Sequence, residues 1–222
     1  MVFMPDKIIT FEENVAEYDV WFEKNRETFL TELEAIKCFV PSIGKGVEIG
    51  VGTGRFAASL GITIGVEPSP GMAALARQRG VEVMGGVAEA LPFADGTFDF
   101  ILMVTVDCFL DDVTQAFREA NRVLKSEGYL IIGFIDRESE LGREYTRKKD
   151  ESRFYRKATL HTVAELEKHL AQAGFAGFVH RQTLFHGQTG IQKVEEGYGK
   201  GSFVVVRATK TKGIRENKGG LG

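Results

Sequence analysis

The chain has 222 residues, of which 43% are hydrophobic, enough for one full-sized core that covers both faces of a sheet. A formal net charge of -3 provides no attraction to nucleic acid or to an anionic membrane surface. No apolar run reaches the roughly 18 residues that a membrane span needs, and the acidic N-terminus lacks the regions of a signal peptide. Neither nucleic acid nor a membrane is therefore expected as a partner.

The cysteines and histidines favour a reduced protein without a metal. Cys38 and Cys108 are too few for a disulfide scaffold and lack the spacing of a metal site. The four histidines form no pair at helical spacing around a glutamate, and we assign them no role. A cytoplasmic location is the expectation.

The N-terminal segment is predicted to be helical. No glycine or proline occurs from Phe11 to Val40, and apolar residues recur there at helical spacing. This pattern predicts one bent helix or two, with Thr31 and Glu34 as a capping box for the second. We expect residues 1–40 to form a helical cap.

Strand-like and helix-like segments then alternate, which predicts parallel βαβ units in a doubly wound α/β sheet. The strand candidates are Gly46–Ile49, Ile62–Val66, Val81–Met84, Phe98–Val104 and Tyr129–Ile135. Capping signals between them predict a helix after Ser69, one that starts at Asp111 and Asp112, and a late one capped by Thr162. Near the C-terminus, "GFVHRQTLF" and "SFVVVRATK" are separated only by a loop, as an antiparallel pair would be. Residues 211–222 have the composition of a disordered tail.

The stretch "VEIGVGTGRF" places Gly50, Gly52 and Gly54 where the first strand gives way to a helix. Glycine weakens regular structure, so three at alternate positions indicate that something approaches the backbone closely. The carboxyl ends of strands in an open α/β sheet are where ligands bind. A tight turn without a ligand is the simpler alternative.

A dinucleotide-binding fold is a rival interpretation of this loop. The looser fingerprint fits when counted from Gly52 to Ala57, which keeps a nicotinamide-dependent oxidoreductase open. The next strand's acid, Glu67, lies closer than the roughly 20 residues which that fingerprint expects. A P-loop is excluded because no Gly-Lys-Ser/Thr follows.

Four segments in order resemble the class I S-adenosylmethionine-dependent methyltransferases. They are "VEIGVGTGRFAASL", "GVEPSPGMAALAR", "GGVAEALPFADGTFDFILMV" and "REANRVLKSEGYLIIG". The resemblance is to the small-molecule branch that includes ubiquinone and menaquinone biosynthesis enzymes, and it covers Val47 to about Ile135, with weaker support to Lys210. It implies a Rossmann-like, mostly parallel seven-stranded sheet with an antiparallel last strand. It also implies a single domain over 1–210, with a cofactor-binding core at 44–136.

The resemblance implies roles for a set of cofactor-binding residues. Glu48 would hold the ammonium group of S-adenosylmethionine, and Glu67 would accept both ribose hydroxyls. The full set is Glu48, Gly50, Val51, Gly52, Gly54, Glu67, Pro68, Val87, Ala88, Glu89 and Thr105. The chain departs from the family at Val87, where an adenine-binding Asp is usual. Ala88 and Glu89 are the expected substitutes, although Glu89 also suits a surface position.

The acceptor is expected to be a small molecule whose nitrogen, oxygen or carbon receives the methyl group. Asp107 follows the fourth strand and Asp136 the fifth, so both are candidate catalytic acids that would suit an amine. Cys108 and Phe109 could line the acceptor site, although Cys108 also suits simple packing. Because methyl transfer requires mainly proximity and orientation, a general base is optional.

Two segments are candidate lids over the site. Tyr18 and Trp21 on the N-terminal helix could cover cofactor and acceptor. The charged segment 137–160 is either a solvated stretch or a lid over the acceptor. A protein that binds S-adenosylmethionine without turnover, such as a sensor, remains an alternative because fold does not fix function.

Overall fold

The computed structural model describes residues 6–211, so the predicted tail lies almost entirely outside the described residues. The α-helices are α1 (Asp6–Glu13), α2 (Val15–Lys24), α3 (Arg26–Lys37), α4 (Arg55–Leu60), α5 (Pro70–Gln78), α6 (Val113–Val123), α7 (Glu140–Arg147) and α8 (Val163–Gln172). The strands are β1 (Gly46–Ile49), β2 (Ile64–Val66), β3 (Glu82–Met84), β4 (Phe98–Val104), β5 (Leu124–Ile135), β6 (Phe175–Phe185), β7 (Glu195–Glu196) and β8 (Gly201–Lys210). None of the helices between residues 6 and 211 is long and apolar enough to cross a membrane.

The strands form one sheet in the order β3-β2-β1-β4-β5-β8-β6-β7. The first five strands are parallel, and β8 runs antiparallel between β5 and β6. The predicted doubly wound α/β fold is therefore confirmed. The sheet of the described residues has eight strands rather than seven, because the two-residue β7 adds itself to the edge of β6.

Both faces of the sheet are buried, as the alternation along β4 illustrates. Ile101 and Met103 pack into the core beneath α6 and α8, whereas Leu102 and Val104 pack on the opposite side beneath α3 and α4. Successive side chains of a strand point to opposite faces, so a strand buried on both faces reads as a continuous apolar run. This arrangement leaves the carboxyl ends of β1, β2 and β4 at one edge.

The N-terminal cap differs from its prediction in detail. Three helices replace one or two, with breaks at Asn14 and Asn25. Thr31 does not begin a helix; it is buried in the middle of α3, where its hydroxyl accepts a hydrogen bond from the Gln192 amide at 3.0 Å. The predicted capping box was wrong because the tertiary contact, rather than the helix end, uses this hydroxyl.

The later helix signals agree with the structure. The Ser69 side chain caps α5 with Pro70 in its first position, and Asp112 caps α6. Thr162 and Glu165 form a complete capping box at the start of α8. These short-range signals placed the helices that flank the sheet.

Candidate functional site

The three glycines after β1 differ in what a side chain at each position would contact. All have positive φ, at 68°, 54° and 82° for Gly50, Gly52 and Gly54. A Cβ on Gly50 would lie 2.5 Å from Val106, and one on Gly54 would lie 2.9 Å from the Ala76 backbone. A Cβ on Gly52 would meet nothing nearer than the Tyr18 hydroxyl at 3.5 Å. Two glycines thus serve internal packing, whereas a Cβ on Gly52 would make only ordinary van der Waals contact, with Tyr18 of α2.

Two buried carboxylates lie beside this turn. Glu48 on β1 is 2% exposed, and its Oε2 has no hydrogen-bond partner among the described residues. Burial raises the pKa of Glu48 well above its ordinary value, and the nearby Glu67 adds to the effect. An unpartnered buried polar atom is costly unless a ligand supplies its partner. The Glu48 oxygen therefore fits the contact that a cationic group of a cofactor would make.

Glu67 directly follows β2, and its carboxylate contacts the glycine turn. Its Oε2 accepts a hydrogen bond from the Gly52 amide and its Oε1 one from the Ser69 amide, both at 2.9 Å. Burial raises the pKa of Glu67 to about 7, partly opposed by these two amides. Each carboxylate oxygen has a second lone pair, so the side chain can still accept a pair of hydroxyls. Val51 is buried and Pro68 half-buried beside it.

The segment that follows β3 contains three candidate cofactor-binding residues, and their surroundings differ. Val87 is 38% exposed and Ala88 is buried. The Glu89 carboxylate accepts from the amides of Asp111 and Asp112, at 2.9 and 3.4 Å, and so supports the loop before α6. The structure thus gives the Glu89 side chain an internal contact that its sequence position did not suggest, and adenine recognition through the backbone around Ala88 stays a prediction.

The carboxyl end of β4 carries a buried acid and histidine pair. Asp107 is 2% exposed, and its Oδ2 lies 3.0 Å from Nδ1 of His161. Burial raises the pKa of Asp107, while the hydrogen bond and the charge of His161 oppose that rise. When Asp107 is ionised and His161 is neutral, the carboxylate can only accept, so the proton would sit on Nδ1 and Nε2 would be left as an acceptor. The pair is thus a candidate proton acceptor.

The residues around this pair are constrained. Thr105, two residues before Asp107, has φ 53°, a strained conformation for a residue with a side chain. Cys108 is 3% exposed, and burial raises its thiol pKa well above the ordinary value, which favours packing over nucleophilic chemistry. Asp136 after β5 is 5% exposed and accepts from the Glu138 amide at 3.1 Å. The Arg137 amide donates to the His161 carbonyl at 3.0 Å, which brings this strand end to the histidine.

Aromatic rings connect the two candidate lids to the rim of the sheet. The Phe11 ring on α1 contacts Tyr18, Phe109 and Phe154, at centroid distances of 5.7, 5.1 and 5.3 Å. Tyr155 in the segment 137–160 lies 5.8 Å from Phe109. Among the predicted lid residues, Tyr18 therefore covers Gly52. The Trp21 side chain is 38% exposed, and its ring packs against that of Phe22.

Ion pairs hold the same lids together. Lys157 pairs with Asp6 at 2.6 Å, Arg153 pairs with Glu17, and Lys7 pairs with Asp111 at 2.6 Å. On the other side of α2, Asp19 pairs with Arg55 at 2.7 Å and Arg79 at 2.8 Å. These arginines hold the pKa of Asp19 well below its ordinary range.

Sequence reasoning missed His161 and the aromatic residues of the segment 137–160. His161 immediately precedes the predicted cap of α8, but no local pattern distinguishes it from a surface histidine. No group of three or more His, Cys, Asp or Glu side chains within residues 6–211 is arranged to hold a metal ion.

Known proteins with this architecture identify its chemistry. A methyltransferase-domain family matches residues 47–132. A crystal structure from Thermotoga maritima, described as an S-adenosylmethionine-dependent methyltransferase and possible histamine N-methyltransferase, is 53% identical with a TM-score of 0.88. It covers 91% of this chain and 99% of its own.

Two relatives found by sequence differ in how much of this chain they match. An uncharacterized protein of Methanocaldococcus jannaschii is 44% identical over 202 residues, which cover 90% of this chain and 98% of that protein. A demethylmenaquinone methyltransferase of Roseiflexus castenholzii is 37% identical over 99 residues, 40% of this chain and 41% of that enzyme. The nicotinamide-dependent alternative is set aside by these relationships. This protein is therefore a class I methyltransferase that uses S-adenosylmethionine, as the glycine turn, the parallel strand order and a relative that spans nearly the whole chain show.

Proposed function

We propose that the enzyme methylates a nitrogen atom of a small-molecule amine. The observation that carries this proposal is the buried contact between Asp107 and His161 at the carboxyl end of β4. An amine that gains a methyl group becomes a cation and must lose a proton, which an oriented imidazole can accept. The naming of the Thermotoga maritima relative as a possible histamine N-methyltransferase supports the same acceptor class.

The cofactor would lie between the glycine turn and Tyr18. We expect the unpartnered Oε2 of Glu48 to receive the cofactor's ammonium group, and the backbone at Gly52, next to Tyr18, to lie beneath its methionine part. Glu67 would accept the ribose hydroxyls through the lone pairs that Gly52 and Ser69 leave free. Val51, Pro68, Ala88 and Thr105 would line the remaining cavity.

When bound, S-adenosylmethionine supplies a methyl carbon on a cationic sulfur; the acceptor nitrogen bonds this carbon while the carbon–sulfur bond breaks, its electron pair remaining on sulfur. The protein's own residues then exclude water, orient the acceptor and accept the proton that it loses. Phe109 and Tyr18 exclude water and hold the acceptor in line. Nε2 of His161 receives the proton that the nitrogen loses, and Asp107 stabilises the resulting imidazolium. Asp136 adds negative charge at the same rim.

The organisation around this site follows from the same proposal. We infer one methyltransferase domain over 1–210, with 1–40 and 137–160 as the two lids over the core at 44–136. The Lys157 and Arg153 pairs support lids that close together. Both cysteines are free thiols, which is consistent with the cytoplasm.

The test is turnover with defined acceptors. The purified enzyme is incubated with S-adenosylmethionine and with histamine, phenethylamine or phenethyl alcohol, and release of S-adenosylhomocysteine is measured. We expect turnover with at least one amine, and a mass increase of one methyl group located on nitrogen. Turnover with the alcohol alone, or methylation located on carbon or oxygen, would overturn the amine proposal while leaving the enzyme class intact.

A further inference from the structure

A cavity formed by the segment 137–160 has cationic and hydroxyl groups in its lining. Its volume is about 150 Å³, and Arg137, Lys149, Tyr145 and Tyr155 are among the residues that line it. Within residues 6–211, no Asp or Glu belongs to this lining. Arginine and lysine only donate hydrogen bonds, and a tyrosine hydroxyl can donate one. The lining is therefore complementary to an anion rather than to an amine.

The charge of Lys149 is available to a ligand. In the part of the chain that the structure describes, no ion pair or hydrogen bond engages its ammonium group, whereas the neighbouring Lys148 pairs with Glu144 at 2.7 Å. Lys149 is also half-buried, whereas Lys148 is exposed. A charge that is partly withdrawn from water attracts an opposite charge more strongly than an exposed one does.

Arg137 is held in place and keeps donors for a ligand. One of its terminal nitrogens donates to the Leu160 carbonyl at 3.2 Å, and the other donates to the Glu165 carboxylate at 2.7 Å. A guanidinium has more N–H groups than these two hydrogen bonds use. Because Glu165 offsets the charge of Arg137, Lys149 supplies the net positive charge of the cavity.

The two tyrosine hydroxyls stay protonated at neutral pH. The rings of Tyr145 and Tyr155 are 5.0 Å apart between centroids, and burial raises the pKa of both phenols. The charge of Glu32 would add to this rise. Burial raises the pKa of Glu32 itself to about 8, so at pH 7 this acid is mainly protonated and does not repel an anion in the cavity.

The cavity adjoins the candidate proton acceptor. Thr159, which lines the cavity, donates its backbone amide to the Cys108 carbonyl at 2.8 Å. The Arg137 amide donates to the His161 carbonyl at 3.0 Å. Cys108 directly follows Asp107, so these two backbone contacts join the cavity lining to both members of the Asp107 and His161 pair. A small molecule in the cavity would therefore lie beside that pair.

We propose that this cavity binds an anionic oxygen group of the methyl acceptor, a carboxylate or a phosphate, through Lys149, Arg137 and the two tyrosine hydroxyls. This proposal rests on the proposed function, and it narrows the acceptor class to molecules that carry both an amine and an anion. The anion anchors the acceptor in the cavity, while the amine nitrogen lies toward His161 and the methyl group. Amines without an anion then bind more weakly.

The first experiment measures the binding of three matched compounds. Histidinol, histidine and histidinol phosphate share one amine skeleton and carry an alcohol, a carboxylate and a phosphate in the same place. Each is titrated by calorimetry into the enzyme saturated with S-adenosylhomocysteine. We expect at least one anionic compound to bind at least tenfold more tightly than histidinol. The compound that gains more distinguishes a carboxylate site from a phosphate site.

Variants at two neighbouring lysines locate this gain in the cavity. Lys149→Gln removes the charge, Lys149→Arg keeps it, and Lys148→Gln is the matched control because Lys148 does not line the cavity. We expect Lys149→Gln to weaken binding of the anionic compound at least tenfold, with no change for histidinol or S-adenosylhomocysteine. Lys149→Arg and Lys148→Gln should bind nearly as the wild type does. In turnover, Lys149→Gln should raise KM and leave kcat unchanged, because the anchor is equally strong before and during the transfer.

The outcomes separate this proposal from the proposed function. Equal affinity for the three compounds, the absence of binding by all of them, or an anion preference that survives Lys149→Gln overturns the anion site even if amines are methylated. Lys149-dependent binding of an anionic compound without any amine turnover supports the anion site and overturns the N-methylation proposal instead.

Discussion

At the scale of single residues, the site is defined by buried carboxylates whose partners differ. Asp107 has a histidine as its partner, Glu67 has two backbone amides, and Oε2 of Glu48 has no partner among the described residues. Because burial penalises the charged form of each, the partner decides which acid can act at neutral pH. Three buried acids thus acquire different chemistry from their surroundings.

Replacing Asp107 by Asn tests the proton acceptor. The amide can no longer fix the proton on Nδ1 of His161, so Nε2 loses its role as acceptor. We expect turnover with an identified amine to fall by about 10²–10⁴-fold, with unchanged affinity for S-adenosylhomocysteine. Asp95→Asn, at an exposed surface pair, is the control and should leave both unchanged. Normal turnover in Asp107→Asn would leave orientation alone as the mechanism.

Replacing Glu67 by Ala tests the ribose contact. Two charge-assisted hydrogen bonds would be lost, each worth roughly 1.5–3 kcal/mol. The dissociation constant for S-adenosylhomocysteine, measured by calorimetry, should rise at least tenfold while the thermal transition stays cooperative. Glu82→Ala on the exposed side of β3 is the control. An unchanged constant would limit Glu67 to holding Gly52 and Ser69.

The raised pKa of Glu32 makes a prediction about stability. Its folded pKa of about 8 lies above its ordinary value of 4.5, so the folded state binds a proton more tightly than the unfolded state. The free energy of unfolding should therefore fall as pH rises from about 4.5 to about 8, by up to a few kcal/mol. Glu32→Gln should match the wild type near pH 4.5 and exceed it at pH 8 in urea denaturation. A wild type as stable as the variant at pH 8 would contradict this expectation.

At the scale of elements, the short helix α4 is held by a glycine at each end. Gly54 and Gly61 both have positive φ, at 82° and 70°. A Cβ on Gly54 would lie 2.9 Å from the α5 backbone at Ala76, whereas one on Gly61 would meet nothing within 4 Å. A side chain at Gly61 would therefore add backbone strain alone, whereas a side chain at Gly54 would also disturb the packing of α4 against α5.

Alanine at these two positions should give different losses of stability. Gly61→Ala should cost about 1–2 kcal/mol, the strain of a left-handed residue with a side chain. Gly54→Ala should cost a further 1–3 kcal/mol or so, because α4 and α5 must move apart. Urea midpoints of both variants measure the difference. Equal losses would show that α5 yields to the extra methyl group.

At the scale of the whole molecule, the parallel order of β1, β2 and β4 brings the glycine turn, Glu67 and Asp107 to one edge of the sheet. In the proposed function, α1 and α2 serve as a lid over that edge, although they come from a distant part of the chain. Ligand binding should therefore stabilise the fold as a unit, because the ligand contacts segments from several elements.

Thermal unfolding with and without ligand checks this coupling. S-adenosylhomocysteine at 100 times its dissociation constant should add about 2.7 kcal/mol and raise Tm by roughly 5–10 °C. NAD at the same concentration should leave Tm unchanged. A rise with NAD and none with S-adenosylhomocysteine would contradict the cofactor assignment.

The sequence by itself determined the features that depend on neighbouring residues. The alternation of apolar runs with capped helices predicted the parallel strands, and Ser69, Asp112 and Thr162 marked helix starts, because a cap needs only the next three residues. The turn at Gly52 and the acid at Glu67 follow from one strand-to-helix connection and the strand after it. The order of residues along the chain was sufficient to predict these features.

Only the tertiary structure decided which side chains are buried together. His161 meets Asp107 across 54 positions of sequence, and Glu32 differs from its exposed neighbour Glu34 only in the helix face on which it lies. The insertion of β8 between β5 and β6 likewise required the assembled sheet. Burial and partners belong to the packed molecule, and they set the pKa and the hydrogen bonds of each acid. The cofactor turn was therefore visible in the sequence, whereas the candidate proton acceptor emerges only from the fold.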